Sequence, residues 1–193
     1  MEKIIPFLAG WMCILLFPIL NFGQTDEIIR PGLIRATATL SPSYMFSNKQ
    51  TFFYLHGNLE GYLTNSISAV GEGYAYLGNQ SSDQSQIAYN HSLFFGISKH
   101  LVSKQHDAYI GIQPGISFTK MDAENNQLST SRLGINPLVS AILDYNFYVN
   151  SVFHFFVQTR IIGGQHVYDK AQNLAEFRFS AGLGFHLQTI RKR

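Results

Sequence analysis

A histidine beside a serine, His91-Ser92, is the pair in this sequence that comes closest to a nucleophile and its base. Nucleophilic catalysis needs a serine hydroxyl within hydrogen-bond reach of an imidazole. The pair lies in a stretch of alternating apolar and polar residues, which predicts a β-strand. Because adjacent residues of a strand point to opposite faces, we expect the sheet to separate the two side chains. The pair therefore predicts no catalytic site.

A second catalytic candidate lies near the C-terminus, where Gln165-His166 is followed by Tyr168 and Asp169. The stretch is polar and follows an alternating segment, which is the pattern of a loop after a strand. We interpret it as an ordinary polar loop. The sequence therefore predicts no catalytic residue.

Three histidines at polar strand positions, His56, His154 and His186, are candidate metal ligands. A zinc site that is visible in sequence has ligands at short, defined spacings. We expect these residues to lie on three different strands and at different heights, and therefore to form hydrogen bonds rather than a metal site. No glycine-rich phosphate loop, HExxH or GxSxG motif occurs. The sequence therefore predicts no metal and no cofactor.

Charged residues inside the alternating segments are the last set that could do chemistry. There are seven of them, and all fall on the polar face: Arg35, Glu60, Glu72, Asp144, Arg160, Glu176 and Arg178. Carboxylates and guanidinium groups that share a face can form ion pairs or line a path for protons and ions. The elements that carry these residues decide between the two.

The composition restricts those elements. Charged residues make up 13% of the 193 residues and hydrophobic residues 46%, whereas soluble domains carry roughly 25% charged residues. The mean hydropathy is nevertheless +0.01, and no stretch after residue 24 has the roughly 18 apolar residues of a membrane helix. These values exclude a helical membrane protein. A net charge of +2 gives no reason to expect a nucleic acid partner.

The first residues have the pattern of a secretory signal. A lysine lies near the start, an apolar stretch runs over Ile4–Leu20, and Gly23 is a small residue before the expected cleavage point. The only cysteine, Cys13, lies within this segment, so we expect no disulfide in the mature protein. We predict a signal peptide over residues 1–23, with an uncleaved anchor as the alternative, and one domain over residues 24–193.

After the signal the chain alternates between apolar and polar residues almost without interruption, as half-buried strands do. We predict eight strands, each long enough to cross a membrane, which takes about 9–11 residues. They cover Leu33–Phe46, Phe52–Leu63, Ile67–Leu77, Ile87–Ser98, Ala108–Thr119, Leu133–Phe147, Phe153–Gly163 and Ala175–Leu187. Longer polar loops lie at Gly78–Gln86, Lys120–Arg132 and Gly164–Leu174, and a turn is expected over Lys99–Asp107. Mostly short connections at one end and longer loops at the other are typical of an outer-membrane barrel.

Alternation does not by itself say which face of the strands points inward. A soluble eight-stranded carrier would turn its apolar face to a ligand, whereas a membrane barrel turns that face to lipid. The polar face lacks the many lysines and glutamates of a water-facing sheet. Aromatic residues crowd the strand ends of the apolar face, as in the girdles of membrane barrels: Tyr44, Phe46, Phe53, Tyr89, Phe118, Tyr145, Phe147, Phe153, Phe177 and Phe185. We therefore predict the apolar face outward, with His91 among lipid head groups.

The sequence resembles the small eight-stranded outer-membrane β-barrel proteins of Gram-negative bacteria over residues 32–187. Its most specific part is the last strand, Phe177–Leu187, which is similar to the C-terminal signal read by the barrel assembly machinery. The chain departs from that pattern by continuing through Gln188–Arg193. The resemblance implies an all-β, eight-stranded antiparallel up-and-down transmembrane barrel in the cell outer membrane. It also implies two partners, outer-membrane lipid and, during insertion, the assembly machinery.

Side chains fill the interior of an eight-stranded barrel, so we expect no wide pore. Because buried unpaired charge costs several kcal/mol, we expect the seven charged residues to form an interior network of ion pairs, with a proton or ion path as the alternative. We predict a structural or surface-interaction protein without catalysis, whose polar loops face a possible extracellular partner. A lipid-modifying enzyme of acyltransferase or deacylase type and a soluble periplasmic carrier of apolar ligands are the alternatives.

Overall fold

A computed structural model of the chain describes residues 31–47, 49–80, 87–121, 132–168 and 171–189. The predicted signal peptide and parts of the three predicted long loops lie outside these residues. Within them, no helix has the length and apolar character that crossing a membrane requires.

The described chain consists of strands. They are β1 (Leu33–Met45), β2 (Gln50–Tyr62), β3 (Ile67–Asn79), β4 (Ile87–Ser103), β5 (His106–Met121), β6 (Gly134–Tyr148), β7 (Phe153–His166), β8 (Gln172–Asn173) and β9 (Glu176–Gln188). Each long strand pairs antiparallel with its neighbour along the chain, and β9 pairs with both β7 and β1. The eight long strands therefore close into a barrel, to which the short β8 adds one pairing on β7. This confirms the predicted fold class.

The predicted connection between β4 and β5 is wrong in its bounds. The turn expected over Lys99–Asp107 is confined to residues 104–105, because β4 continues to Ser103 and β5 begins at His106. The polar residues His100 and Asp107 gave the stretch the composition of a turn, but both are buried inside the barrel. Their polarity therefore marks the inward face of two strands and not a loop.

The two faces of the barrel wall are those predicted from the alternation. On β1, Arg35 is 1% exposed, whereas Leu40 is 64% exposed. On β5, Gln113 is buried and Ile112 is 75% exposed. Ile87 is the exception among the predicted outward residues, since a register shift between Ile87 and Tyr89 turns its side chain inward.

The two ends of the barrel differ. The turn end is where β1 begins and β9 ends, together with the connections 63–66, 104–105 and 149–152. The loop end carries the connections 46–49, 80–86, 122–133 and 167–175. An apolar cluster fills the barrel toward the loop end, with Met45, Phe52, Tyr54, Tyr74, Ile87, Phe94, Met121, Leu138, Ile162 and Leu174. A smaller one, Leu33, Tyr62 and Tyr148, lies at the turn end.

Candidate functional site in the barrel interior

The seven charged residues singled out in the sequence all lie inside the barrel, and none is more than 3% exposed. They are Arg35, Glu60, Glu72, Asp144, Arg160, Glu176 and Arg178. Asp107 joins them with no exposed surface. The described interior thus holds five carboxylates and three guanidinium groups. Burying a charged group without a partner is energetically costly. The contacts of each group therefore decide whether these charges are compatible with a stable barrel.

The layer nearest the loop end is built around Arg178 and Glu176, which form an ion pair within β9. The Arg178 guanidinium also donates to the Ser92 hydroxyl at 2.7 Å, and its Cζ lies 4.0 Å from the ring centroid of Tyr54. Glu176 accepts hydrogen bonds from Ser43 at 2.6 Å and from the Tyr54 hydroxyl at 3.1 Å. Each charge therefore has an opposite charge and polar partners.

The middle layer joins opposite walls of the barrel. Arg160 on β7 donates from Nη2 to Oε1 of Glu72 on β3 at 2.5 Å. Arg160 also donates to Ser140 at 2.6 Å and to the Gln113 side-chain oxygen at 2.9 Å. His56 Nε2 lies 3.1 Å from the second oxygen of Glu72. The expectation that His56 is a hydrogen-bonding residue agrees with this contact.

The layer nearest the turn end contains most of the acids. Arg35 forms an ion pair with Glu60, and its Nη2 lies 3.5 Å from Oδ1 of Asp144. His100 lies between two carboxylates, with Nε2 2.9 Å from Glu60 and Nδ1 2.8 Å from Asp107. The imidazole can therefore bridge both acids, which gives this layer a second cation when His100 is protonated.

Sequence reasoning missed His100 and Asp107 because it assigned both to a turn. One signal could have found them. His100 continues the inward phase of Ser92 and Ser98 along β4, and Asp107 precedes the inward Gln113 on β5 by an even number of residues. Since side chains alternate strictly along a strand, phase is better evidence than polarity for a strand end.

The expectation that His154 and His186 lie at different heights is wrong. Their Nδ1 atoms are 3.3 Å apart, because β7 and β9 pair with His154 opposite Gly184. A Cβ on Gly184 would overlap the His154 ring, so this glycine makes room for it. The Tyr148 ring packs against both imidazoles. Within the described ranges, no group of three or more histidine, cysteine or acidic residues is arranged to hold a metal ion.

The nucleophile candidates are separated as the strand geometry predicts. His91 lies on the outward face, and its Nδ1 accepts a hydrogen bond from the Tyr76 backbone N–H at 3.0 Å. Ser92 points inward to Arg178. The interpretation of Gln165 and His166 as part of a loop is wrong, because both lie in β7 and pair with β8. His166 is buried, with its ring centroid 5.5 Å from that of Tyr168, and Asp169 lies outside the described residues.

Contacts between opposite walls recur along the interior. Besides the Arg160–Glu72 pair, the Tyr74 hydroxyl on β3 donates to Gln158 on β7 at 2.9 Å. Nearer the turn end, the hydroxyl oxygens of Tyr62 on β2 and Tyr148 on β6 are 3.4 Å apart. Side chains thus meet across the barrel, which leaves no wide pore through its described part.

The same architecture occurs in solved structures. The chain is similar to the crystal structure of Neisserial surface protein A, with a TM-score of 0.62 and 11% identity, over 81% of this chain and 96% of that chain. It is also similar to the N-terminal beta-barrel domain of OprF from Pseudomonas aeruginosa, with a TM-score of 0.54 and 11% identity, over 81% of this chain and 98% of that domain. No protein-family model matches the sequence. No curated protein matches it significantly.

At these identities the likeness concerns the fold. The chain has the fold of the small eight-stranded outer-membrane β-barrels of Gram-negative bacteria, as the resemblance in its sequence implied. Its outward face is predominantly apolar, and in the described residues all of the carboxylates and three of the arginines point inward, which is the reverse of a soluble carrier. Fold and surface together are those of an outer-membrane protein.

Proposed function

We propose that this chain is a non-catalytic protein of the bacterial outer membrane, with a structural or surface-interaction role. The observation that carries the proposal is the filled interior, in which ion pairs and hydrogen bonds join opposite strands across the barrel. Contacts of this kind in the described part of the barrel oppose both a carried ligand in the interior and a wide path for solutes.

In this proposal the short turns face the periplasm and the loop end faces the outside, as in other membrane barrels. The connections 80–86, 122–133 and 167–175 would then meet an extracellular partner. Outer-membrane lipid surrounds the wall, and the barrel assembly machinery inserts the chain through its last strand. His91 and Ser92 contact opposite sides of the barrel wall, so they do not form the serine–histidine pair that a lipid-modifying enzyme would need.

Two measurements on the full chain test this proposal. Membrane fractionation with a heat-shift gel should find the folded protein in the outer membrane, with different mobilities for boiled and unboiled samples. A soluble protein with one mobility would contradict the membrane placement. In planar bilayers we expect no stable large conductance. In an enzyme assay with outer-membrane lipids, lipid release or acyl transfer above the level of boiled protein would contradict the non-catalytic role.

A further inference from the structure

The pairing between β1 and β9 is interrupted in the middle of both strands. Residues 38–42 of β1 and 179–183 of β9 make no regular ladder pairs, although both stretches lie within the described residues. The pairs before and after the interruption share one register, so the two strands run past each other without a bulge. We call this interval the β1–β9 seam.

A second interruption lies between β4 and β5. Residues 95–99 and 110–114, all of them described, make no regular pairs, whereas the pairs that end at Phe94 and resume at His100 are in one register. We call this interval the β4–β5 seam. Around the closed wall, four long strands lie between the two seams on either side. The seams therefore divide the wall into two half-barrels, one of β1 to β4 and one of β5, β6, β7 and β9.

Within each half-barrel the strands are paired through the middle of the wall. The β1–β2 ladder runs without a gap from Ile34 to Met45, and the β5–β6 ladder runs from His106 to Thr119. The β6–β7 and β7–β9 ladders are also unbroken there. Inter-strand hydrogen bonds fix each strand against the next. Each half-barrel should therefore be stiff, and bending of the wall should concentrate at the seams.

The β1–β9 seam is joined by side chains. The Thr39 hydroxyl donates to the Ala181 carbonyl oxygen at 2.9 Å, and the Ser41 hydroxyl donates to the Phe179 carbonyl oxygen at 2.8 Å. Hydrocarbon offers no donor at this depth, so the protein itself has to supply one. A hydroxyl group can rotate to suit its acceptor. These bonds therefore tolerate more movement between the strands than a backbone ladder does.

Each seam also contains a proline, Pro42 in the first and Pro114 in the second. Proline has no backbone N–H and therefore cannot donate to a ladder, which is why it is uncommon inside sheets. The two positions lie on strands at opposite sides of the wall. The sequence thus weakens backbone pairing at both seams.

Interior side chains connect the two half-barrels. The Tyr74 hydroxyl on β3 donates to the side-chain oxygen of Gln158 on β7 at 2.9 Å. Arg160 on β7 donates to Glu72 on β3. Because β3 and β7 belong to different half-barrels, these contacts hold the two halves at a fixed separation.

We propose that the two half-barrels flex against each other along the two seams, and that the hydrogen bonds between β3 and β7 limit this motion. Flexing changes the cross-section of the barrel without breaking a continuous ladder. Because each half is stiff, movement at one seam requires movement at the other. Collective motions of this kind occur in microseconds to milliseconds. The motion lets a barrel with a filled interior adapt its shape to the surrounding lipid.

NMR relaxation dispersion on the mature chain in lipid nanodiscs measures motion on this timescale. We expect the amide signals of Leu40 and Ile112, one in each seam, to show exchange between two states. The amide signal of Leu143, in the middle of the unbroken β6–β7 ladder, should show none. Absence of exchange at both seams, or equal exchange at Leu143, would overturn the proposal.

Two tyrosine variants test the limiting contacts. Tyr74→Phe removes the hydrogen bond to Gln158, and we expect the population of the minor state to rise about fivefold, the factor that corresponds to one net hydrogen bond. Tyr109→Phe is the matched control, because the buried Tyr109 hydroxyl has no hydrogen-bond partner within the described residues. It should leave the population unchanged. Equal populations in the two variants would contradict the limiting role of the contacts between β3 and β7.

A cross-link distinguishes a coupled motion from local mobility. The only cysteine, Cys13, lies in the predicted signal peptide, so introduced cysteines are unique in the mature chain. Leu40→Cys and Ala181→Cys, which face each other across the β1–β9 seam in the register of the flanking pairs, are joined by a short thiol cross-linker. We expect this cross-link to abolish the exchange of Ile112 in the other seam. An unchanged Ile112 signal would show that the two seams are not coupled.

The control cross-link lies within one half-barrel. Ala141→Cys and Ile161→Cys are paired on the β6–β7 ladder, and joining them should leave the exchange of Ile112 as it is. If both cross-links suppress that exchange equally, the seams have no special role. A heat-shift gel of every variant shows whether the barrel is folded, so that failure of the flexing proposal is distinguished from failure of the membrane fold.

Discussion

Arg160 and Glu72 face each other across the barrel, with Nη2 of the arginine 2.5 Å from Oε1 of the glutamate. They belong to β7 and β3, which are separated by three long strands in either direction around the wall. The pair therefore connects opposite walls, and it is fully surrounded by protein. In a barrel without a continuous apolar interior, such contacts hold the two walls together.

Replacing one member of this ion pair should destabilise the barrel more than the loss of both charges would suggest, because a single replacement leaves the other charge buried without its partner. Arg160→Gln leaves a buried carboxylate without its guanidinium, and we expect a loss of about 3–5 kcal/mol in the free energy of unfolding. The double variant Arg160→Gln with Glu72→Gln should be less destabilised than the sum of the two single variants. Urea titrations of the barrel in lipid vesicles measure all three. Strict additivity would show that the two groups do not interact.

Arg178 should not tolerate lysine. Its guanidinium bonds Glu176 and Ser92 and packs on the face of Tyr54, and a lysine ammonium cannot reproduce the planar contacts. We expect Arg178→Lys to lower the free energy of unfolding by about 1–3 kcal/mol. The exposed Lys49 provides the control, since Lys49→Arg should change stability by no more than about 0.5 kcal/mol. Equal effects would argue against the packed interior.

Two glycines should respond oppositely to alanine. A Cβ on Gly115 would overlap the Phe94 ring and lie 2.7 Å from the Leu93 carbonyl oxygen, whereas a Cβ on Gly61 would meet nothing within 4 Å. Gly115→Ala should therefore cost about 1–3 kcal/mol. Gly61→Ala should be neutral or stabilising by up to about 1 kcal/mol. Vesicle unfolding curves check both, and a harmless Gly115→Ala would contradict the close contact with Phe94.

The cost of replacing an outward apolar residue by arginine should depend on how deep that residue lies in the membrane. Ile112 and Leu101 are both 75% exposed, but Ile112 lies near the middle of β5 and Leu101 near the turn end of β4. Ile112→Arg should cost about 2–4 kcal/mol, and Leu101→Arg about 0–1 kcal/mol. Folding yield into vesicles and unfolding in urea measure the difference. If the two variants behave alike, the apolar band does not face lipid.

The sequence by itself determined the strands and their two faces. Side-chain direction reverses at every residue of a strand, so the alternation around Arg35, Glu60 or Arg178 specified which side chains share a face. Low charge together with outward aromatic residues then specified that the shared polar face is the inside. The positions of the strands and the direction of their side chains depend on neighbouring residues only, so the sequence pattern is sufficient to predict them.

Only the tertiary structure decided which inward residues meet. Arg160 and Glu72 are brought together because closure of the barrel and the tilt of its strands place β3 opposite β7. The register of β7 against β9 puts His154 beside His186, which the sequence assigned to different heights. The register shifts at Phe53–Tyr54 in the β2–β3 pairing and at Ile87–Tyr89 in the β4–β5 pairing are also invisible in a pattern of period two. One extra residue shifts the register without changing the composition. Register across strands is a property of the closed wall, so no single strand contains it.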